Sequence, residues 1–300
     1  MPLQRSFAAG HFMLELDGVD AGWLASAEGG FAVADVVVEK PGADRLVHKH
    51  LAGLKYTDIQ LGFGTGLSKG LYQWITDTLA GKPQRKNGVL ITADFDFKER
   101  ERLTFTDALI SHIDFPALDA SSKDVAKLTI GLAPDQTTKA KGSGGKLAGQ
   151  LGTKTVKWLL ANFKLEIDGL DCTGVSRIEP ISIKSVAGEH TIGERREIER
   201  EVSRLEIPDL VVTLSEAKAD SFDAWHEDFV IKGNNGDDKE KSGKLEFLGP
   251  TKETLFTLSF SGLGIYKLAP SAQTAGVEAV RRLTASMYCE EMAFAPGAGA

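Results

Sequence analysis

Cysteine, long apolar runs and a concentrated basic face are what this 300-residue chain has least of. Each shortage closes a class of function. The two cysteines, Cys172 and Cys289, both lie in the second half. They would meet as strand neighbours, but the first half has no counterpart to either, so packed free thiols rather than a structural disulfide are expected. No uninterrupted apolar stretch approaches the roughly 18 residues of a membrane-spanning helix. Residues 1–10 hold one Arg and no apolar secretion core. A protein that starts life in the cytoplasm, with no membrane partner, is expected. The formal net charge is −7, with 17 Lys and Arg against 18 Asp and Glu in residues 1–150 and 18 against 24 in residues 151–300. Neither half has the surplus of positive charge needed to grip a nucleic-acid backbone.

Catalytic and cofactor constellations are equally sparse. Gly62-Phe63-Gly64-Thr65-Gly66 misses the dinucleotide fingerprint, and no Lys-Ser or Lys-Thr follows it as a phosphate-binding loop demands. Gly149-Gln150-Leu151-Gly152-Thr153-Lys154-Thr155 places Thr before the Lys and misses likewise. His48 and His50 share one face of a strand, but with Asp44 as the only close carboxylate they read as a surface pair. His112-Ile113-Asp114 and Trp225-His226-Glu227-Asp228 hold acid/base groups to which the sequence ties no Ser or Cys nucleophile. No enzyme, cofactor or metal is expected.

What the chain does have is an internal repeat. Phe12-Met13-Leu14-Glu15-Leu16-Asp17-Gly18 returns as Phe163-Lys164-Leu165-Glu166-Ile167-Asp168-Gly169 at an offset of 151, and Trp74 returns as Trp225. Leu103-Thr104-Phe105-Thr106 returns as Leu258-Ser259-Phe260-Ser261, now at an offset of 155. Matches that keep their order at so long a spacing predict two globular domains in tandem rather than a solenoid. With 42% hydrophobic and 26% charged residues, the composition suits two ordinary cores.

Each half reads as mostly strand with one helix. Phe12, Leu14 and Leu16 alternate with polar residues and run into the turn signal Asp17-Gly18. Residues 31–39 are β-rich, and Ile59 and Leu61 open another strand. Leu67, Leu71, Trp74 and Ile75 then form a helical stripe with Ser68 as its cap. The second half repeats this stripe with Phe222, Trp225 and Phe229, with Asp220 or Ser221 as the expected cap. Further strands are predicted over residues 89–95, 103–105, 125–132, 244–248, 255–260 and 280–287. Phe12, Trp74, Phe105, Phe163, Trp225 and Phe260 are the expected core anchors. A glycine-dense stretch, residues 141–152, reads as a linker. Two polar segments, residues 40–50 and 187–204, occupy matching places in the halves. They read either as solvated loops or as hairpin arms that dock on another subunit.

The series Phe12-x-Leu14-Glu15-Leu16-Asp17-Gly18-Val19, Gly22-Trp23 and Leu54-Lys55-Tyr56-Thr57-Asp58-Ile59-Gln60-Leu61, followed by a helix bearing Trp74, resembles the tail-tube proteins of contractile phages and of phage-like injection systems. Arg85-Lys86-Asn87-Gly88 and the run from Leu118 to Ala126 extend the resemblance, which covers roughly residues 10–135. The second half keeps the frame more loosely, with Gly174-Val175 where the first has Gly22-Trp23.

The resemblance implies a mostly β (α+β) chain of two tail-tube-like barrels or sandwiches, each with one helix packed on it. Their expected bounds are residues 1–140 and 156–300, with residues 141–155 as linker. It implies a structural role: a ring of three two-domain chains, pseudo-sixfold, stacking into a hollow tube inside sheath and baseplate proteins, with DNA or protein cargo passing through the lumen. An initiator, terminator or baseplate adaptor ring is the alternative, and a small-molecule-binding or hydrolytic barrel a remote one. The resemblance also favours the arms as contacts between subunits or rings. Lys40, Asp44, Arg45, His48, Lys49 and His50 would serve in the first arm, and Glu189, Glu194, Arg195, Arg196, Glu199, Arg200 and Arg204 in the second.

Overall fold

The computed structural model describes residues 10–40, 46–64, 67–147, 158–191, 198–271 and 281–297. The first half begins with β1 (His11–Leu16), β2 (Val19–Leu24), β3 (Ser26–Gly29), β4 (Ala32–Val38), β5 (Lys49–Tyr56) and β6 (Ile59–Phe63). It continues with α1 (Lys69–Leu79), β7 (Lys86–Ala93), β8 (Glu99–Phe115), β9 (Leu118–Asp119), β10 (Leu128–Ala133) and β11 (Gln136–Lys141). The second half contains β12 (Phe163–Ile167), β13 (Val175–Ile178), β14 (Ile181–Thr191), β15 (Ile198–Glu206), β16 (Leu210–Ser215), α2 (Asp220–His226), β17 (Lys241–Leu248), β18 (Thr254–Pro270) and β19 (Arg282–Pro296).

Local chemistry accounts for the boundaries. Asp17 and Gly18 both take positive φ, 50° and 80°, the pair a two-residue hairpin turn needs between β1 and β2. Ser68 caps α1 by accepting from the Leu71 N–H at 3.2 Å, and Gly81 at φ 71° follows the helix end. The second helix departs from its expected cap. Its N-cap is Ala219 with no side-chain bond, while Asp220 and Ser221 lie inside the first turn, where Ser221 Oγ accepts from the Asp171 N–H of another segment. A π-helical turn, Glu227–Ile231, extends α2. Pro134, which has no N–H to give a ladder, separates β10 from β11, whereas β19 runs unbroken through Cys289 at the corresponding place. The strand expected to begin at Val125 begins at Leu128, and Val125 makes an isolated bridge to Leu159.

The first sheet has the order β2-β1-β7-β8-β10-β6-β3, and the second the order β12-β17-β18-β19-β16-β13-β9. From β1 to β3 and from β12 to β13 the sequence of strands is the same. The registers agree as well. Gly88 faces Leu16 and Phe105, and Gly243 faces Ile167 and Phe260. Both glycines are required by the close packing, since a Cβ at either position would come within 2.5 Å of a backbone oxygen, of Glu15 or Glu166. Ile130 pairs Leu61 and Ile113, as Ala285 pairs Val212 and Leu268. The change of offset falls between helix and next strand, where the second half carries its π-helical turn and a further turn at Asp237–Lys239.

The halves share one continuous apolar core. Phe115 of β8 packs against Phe247, Phe256 and Phe294 at ring separations of 5.4 to 6.3 Å. Trp158 meets Phe247 and Phe256 edge-on at 5.2 Å. The first helix reaches across: Tyr72 stacks on Phe294 at 5.8 Å, and Thr76 Oγ1 donates to the Phe294 carbonyl oxygen at 3.2 Å. The glycine-dense stretch starts against the first sheet, with Lys146 bridging Lys98 and Leu147 buried beside Met13, Ile91 and Ala93. Residues 148–155 of the expected linker lie outside the described residues.

Candidate assembly surfaces

Strand edges are the chemistry of this molecule, because an unpaired edge presents a row of N–H and C=O groups to any partner strand. One such edge is filled within the chain. The base of β14 leaves the second half and pairs with β8 of the first, placing Ile181 opposite Phe115, Ser182 opposite Asp114, Ile183 opposite Ile113 and Lys184 opposite His112. Ile181, Ile183, Ile113 and Phe115 are thereby buried. On the other face Ser182 Oγ donates to Asp114 Oδ1 at 2.5 Å. His112 bonds Gln60 Oε1 through Nε2 at 2.8 Å and Ser111 Oγ through Nδ1 at 3.1 Å. Its ring lies over Gly131, where a Cβ would come within 2.0 Å of the imidazole.

Ser111, His112, Asp114 and Ser182 line an open cavity of about 410 Å³ with Asp58 and Lys184. Ser111, His112 and Asp114 are the residue types of a hydrolytic triad, but Gln60 holds the nitrogen nearest the Asp114 carboxylate, which lies 3.6 Å from it and is engaged by Ser182. The cluster ties β6, β8 and β14, and so the two halves, together.

A second junction lies beside it. β9 pairs β13, with Asp119 opposite Arg177 and Leu118 opposite Ile178. Hydrogen bonds from Ser121 hold the Asp119 carboxyl below the usual carboxylate range, and Arg177, 3.9 Å away, adds to the effect.

The arms are two-stranded ribbons longer than their polar tips. β4 pairs β5 from Ala32 opposite Tyr56 to Val38 opposite Lys49, and β14 pairs β15 from Lys184 opposite Glu206 to Thr191 opposite Ile198. The first ribbon exposes Val33, Val36, Val37, Val38 and Leu51, the last at 67% of its surface. Phe31 at its base is 62% exposed. A ribbon apolar toward solvent has the character of an interaction surface.

The expected arm residues distribute as follows. Lys40, His48, Lys49 and His50 are exposed, and His50 lies 3.6 Å from Glu39. Arg204 is exposed on β15 and reaches Glu206 at 2.8 Å. Glu189, Glu199 and Arg200 take part in the β14–β15 ladder as backbone. Asp44, Arg45, Glu194, Arg195 and Arg196 lie outside the described residues. The anchors Trp74, Phe105, Trp225 and Phe260 are buried, and Phe12 and Phe163 are half-buried against the core. Sequence reading missed the pairing of β14 with β8. The alternation of Ile181 and Ile183, just ahead of the charged tip, was its one visible sign.

Further edges have no partner strand among the described residues, and three of them distinguish the halves. β3 ends the first sheet, although its counterpart β13 is covered by β9. β12 ends the second sheet, because three-residue helical turn Cys172–Gly174 stands where the first half has β2, and a cavity of about 380 Å³ opens beside it. The far part of β18, residues 264–270, is paired only with β19 on one side. Among the described residues no group of His, Cys, Asp or Glu forms a metal cluster, and no helix is long and apolar enough to cross a membrane. Cys172 and Cys289 are free thiols.

Residues 9–138 match the family of the T4-like virus tail tube protein gp19. No curated protein matches the chain. Among solved structures, a chain of the anti-feeding prophage cap, its tube terminating cap, is 18% identical with a TM-score of 0.41, covering 47% of this chain and 95% of the other. A chain of the sheath/tube terminator of the extracellular contractile injection system PVC is 17% identical with a TM-score of 0.40, covering 46% and 99%. Hcp1 from Flavobacterium johnsoniae is 17% identical with a TM-score of 0.27, covering 47% and 100%.

Proposed function

We propose that this chain, whose residues 9–138 match the T4-like virus tail tube protein family, is a ring-forming component of the inner tube of a contractile phage tail or injection apparatus. In this reading its halves are two copies of one domain, and three chains alternate them around a ring of six domains. The observation that carries it is the β14–β8 pairing over a shared aromatic core. One domain completes the sheet of the next there, and six such steps make a closed inner surface without free edges. Sheath and baseplate proteins are the outer partners, the ribbons reach toward neighbouring subunits or rings, and cargo passes through the lumen. Alternation of unlike halves makes the ring threefold, which suits a second reading as an end ring where threefold and sixfold parts of the apparatus meet. Negative-stain microscopy of the purified protein is the test. Rings or tubes of ring-like cross-section are expected, and a protein that stays monomeric at high concentration would contradict both readings.

A further inference from the structure

The two halves are equivalent strand by strand, yet one edge that is filled in the first is open in the second. β8 carries β14 along residues 112–115. The matching stretch of β18, residues 267–270, has no strand on that side among the described residues. The element equivalent to the base of β14 is the base of the first ribbon, residues 30–33, and the two ribbons share a register. Ala32 faces Tyr56 and Val33 faces Lys55; at an offset of 151, Lys184 faces Glu206. Exposure follows the same division. Ile113, Phe115, Ile181 and Ile183 are buried at the filled edge, while Pro270 and Ala32 are exposed and Leu268 half-exposed at the open ones.

We propose that residues 267–269 of β18 are the docking edge for residues 31–33 of a second copy of this chain, antiparallel and in the register of the internal junction; Gly30, at φ 72° and bonded to Thr57 and Thr137 within its own chain, ends the pairing. This deepens, and rests on, the ring reading. Carrying the β8–β14 register across by the two offsets sets Leu268 opposite Ala32 and Lys267 opposite Val33.

Strand geometry reaches the same pairing by another route. Backbone polar groups alternate between the two sides of a strand. The Ser271 N–H bonds Arg282 of β19, so the groups of Leu268, three residues earlier, point to the open side. The Phe31 carbonyl accepts the Thr57 N–H and the Phe31 N–H donates to Thr57 Oγ1, so both of its backbone groups face the β5 side and those of the next residue, Ala32, point outward. Leu268 and Ala32 thus form a hydrogen-bonded pair when the chains meet. Pro270, lacking an N–H on the same edge, keeps the pairing short and discourages longer sheet growth. The contact is head-to-tail, the type that closes rings.

Val33→Cys with Lys267→Cys tests it, because a non-hydrogen-bonded pair brings Cα atoms to about 4.5 Å, within disulfide reach. Both positions are exposed, so the fold is retained. Under mild oxidation the double variant is expected to form linked chains up to trimers on a non-reducing gel, and either single variant is not. Ring particles without cross-links overturn the pairing and leave the ring reading standing. Linked chains without closed particles uphold the pairing and overturn the ring, and neither product overturns both. Ala32→Pro, which removes only an outward N–H, is expected to abolish assembly with an unchanged melting temperature. Normal assembly of that variant overturns the proposed edge.

Discussion

The outer faces of the two halves differ far more than their cores. On the first sheet Met13 and Ile91 are buried beneath Leu147, with Val89 and Trp23 alongside. The positions that match Met13, Val89 and Ile91 are Lys164, Lys244 and Glu246. Together with Glu166 they form a charge ladder, Lys164 to Glu166 at 2.5 Å, Lys244 to Glu166 at 3.0 Å and Lys244 to Glu246 at 2.9 Å. Bonds from Lys164 and Lys244 hold the Glu166 carboxyl below its usual range. Exposed pairs of this kind contribute little to stability. A one-residue slip would turn every core side chain outward, so packing fixes the register. Surfaces carry no such penalty, and here they differ in apolar cover, in charge and in which edges have a partner among the described residues.

The comparison breaks most severely where the halves join. Phe115→Ala empties a fully buried site among three phenylalanines of the second half and is expected to cost about 3–5 kcal/mol. Thermal unfolding of the variant should remain a single transition at lower temperature, and two separated transitions would mean that the halves do not share a core. Next come the matched glycines. Gly88→Ala and Gly243→Ala each drive a Cβ toward a backbone oxygen and are expected to destabilise by roughly 1–3 kcal/mol apiece. Denaturant melts in which one is silent would show that the register is not equally tight in both halves.

Helix caps sharpen the contrast, since only α1 has one. Ser68→Ala should cost about 1 kcal/mol, and Ser221→Ala clearly less, because Ser221 bonds an exposed backbone N–H elsewhere. Equal losses in chemical denaturation would mean that the caps do not differ.

The smallest effect is electrostatic. Asp119 has a folded-state pKa below its unfolded value, so its contribution is present above the unfolded pKa and fades as pH falls through the folded one. Asp119→Asn should therefore lower the melting temperature slightly near neutrality and converge with the parent in acid. A constant difference down through the carboxylate range would assign its effect to something other than ionisation.

Much of the fold was legible because it depends on local patterns. Phe12, Leu14 and Leu16 alternate, Asp17-Gly18 turns, and the Leu71, Trp74 and Ile75 stripe behind Ser68 makes a capped helix. The second cap was misread because Asp220 and Ser221 are good capping residues one and two positions too late, and tertiary contact gives Ser221 another partner. The arms were visible as charge, but their structural base is apolar. Ile181 and Ile183 signal a buried strand without saying whose sheet they complete, since pairing across 68 residues is a tertiary choice. The open edge of β18 was not legible, because an edge is defined by what does not pair there.

The central claim is that one chain supplies two adjacent, equivalent segments of a ring. Native mass spectrometry of the smallest closed particle tests it most directly. The account predicts three chains per particle, and six chains arranged as two layers, each built of one kind of half, would contradict it.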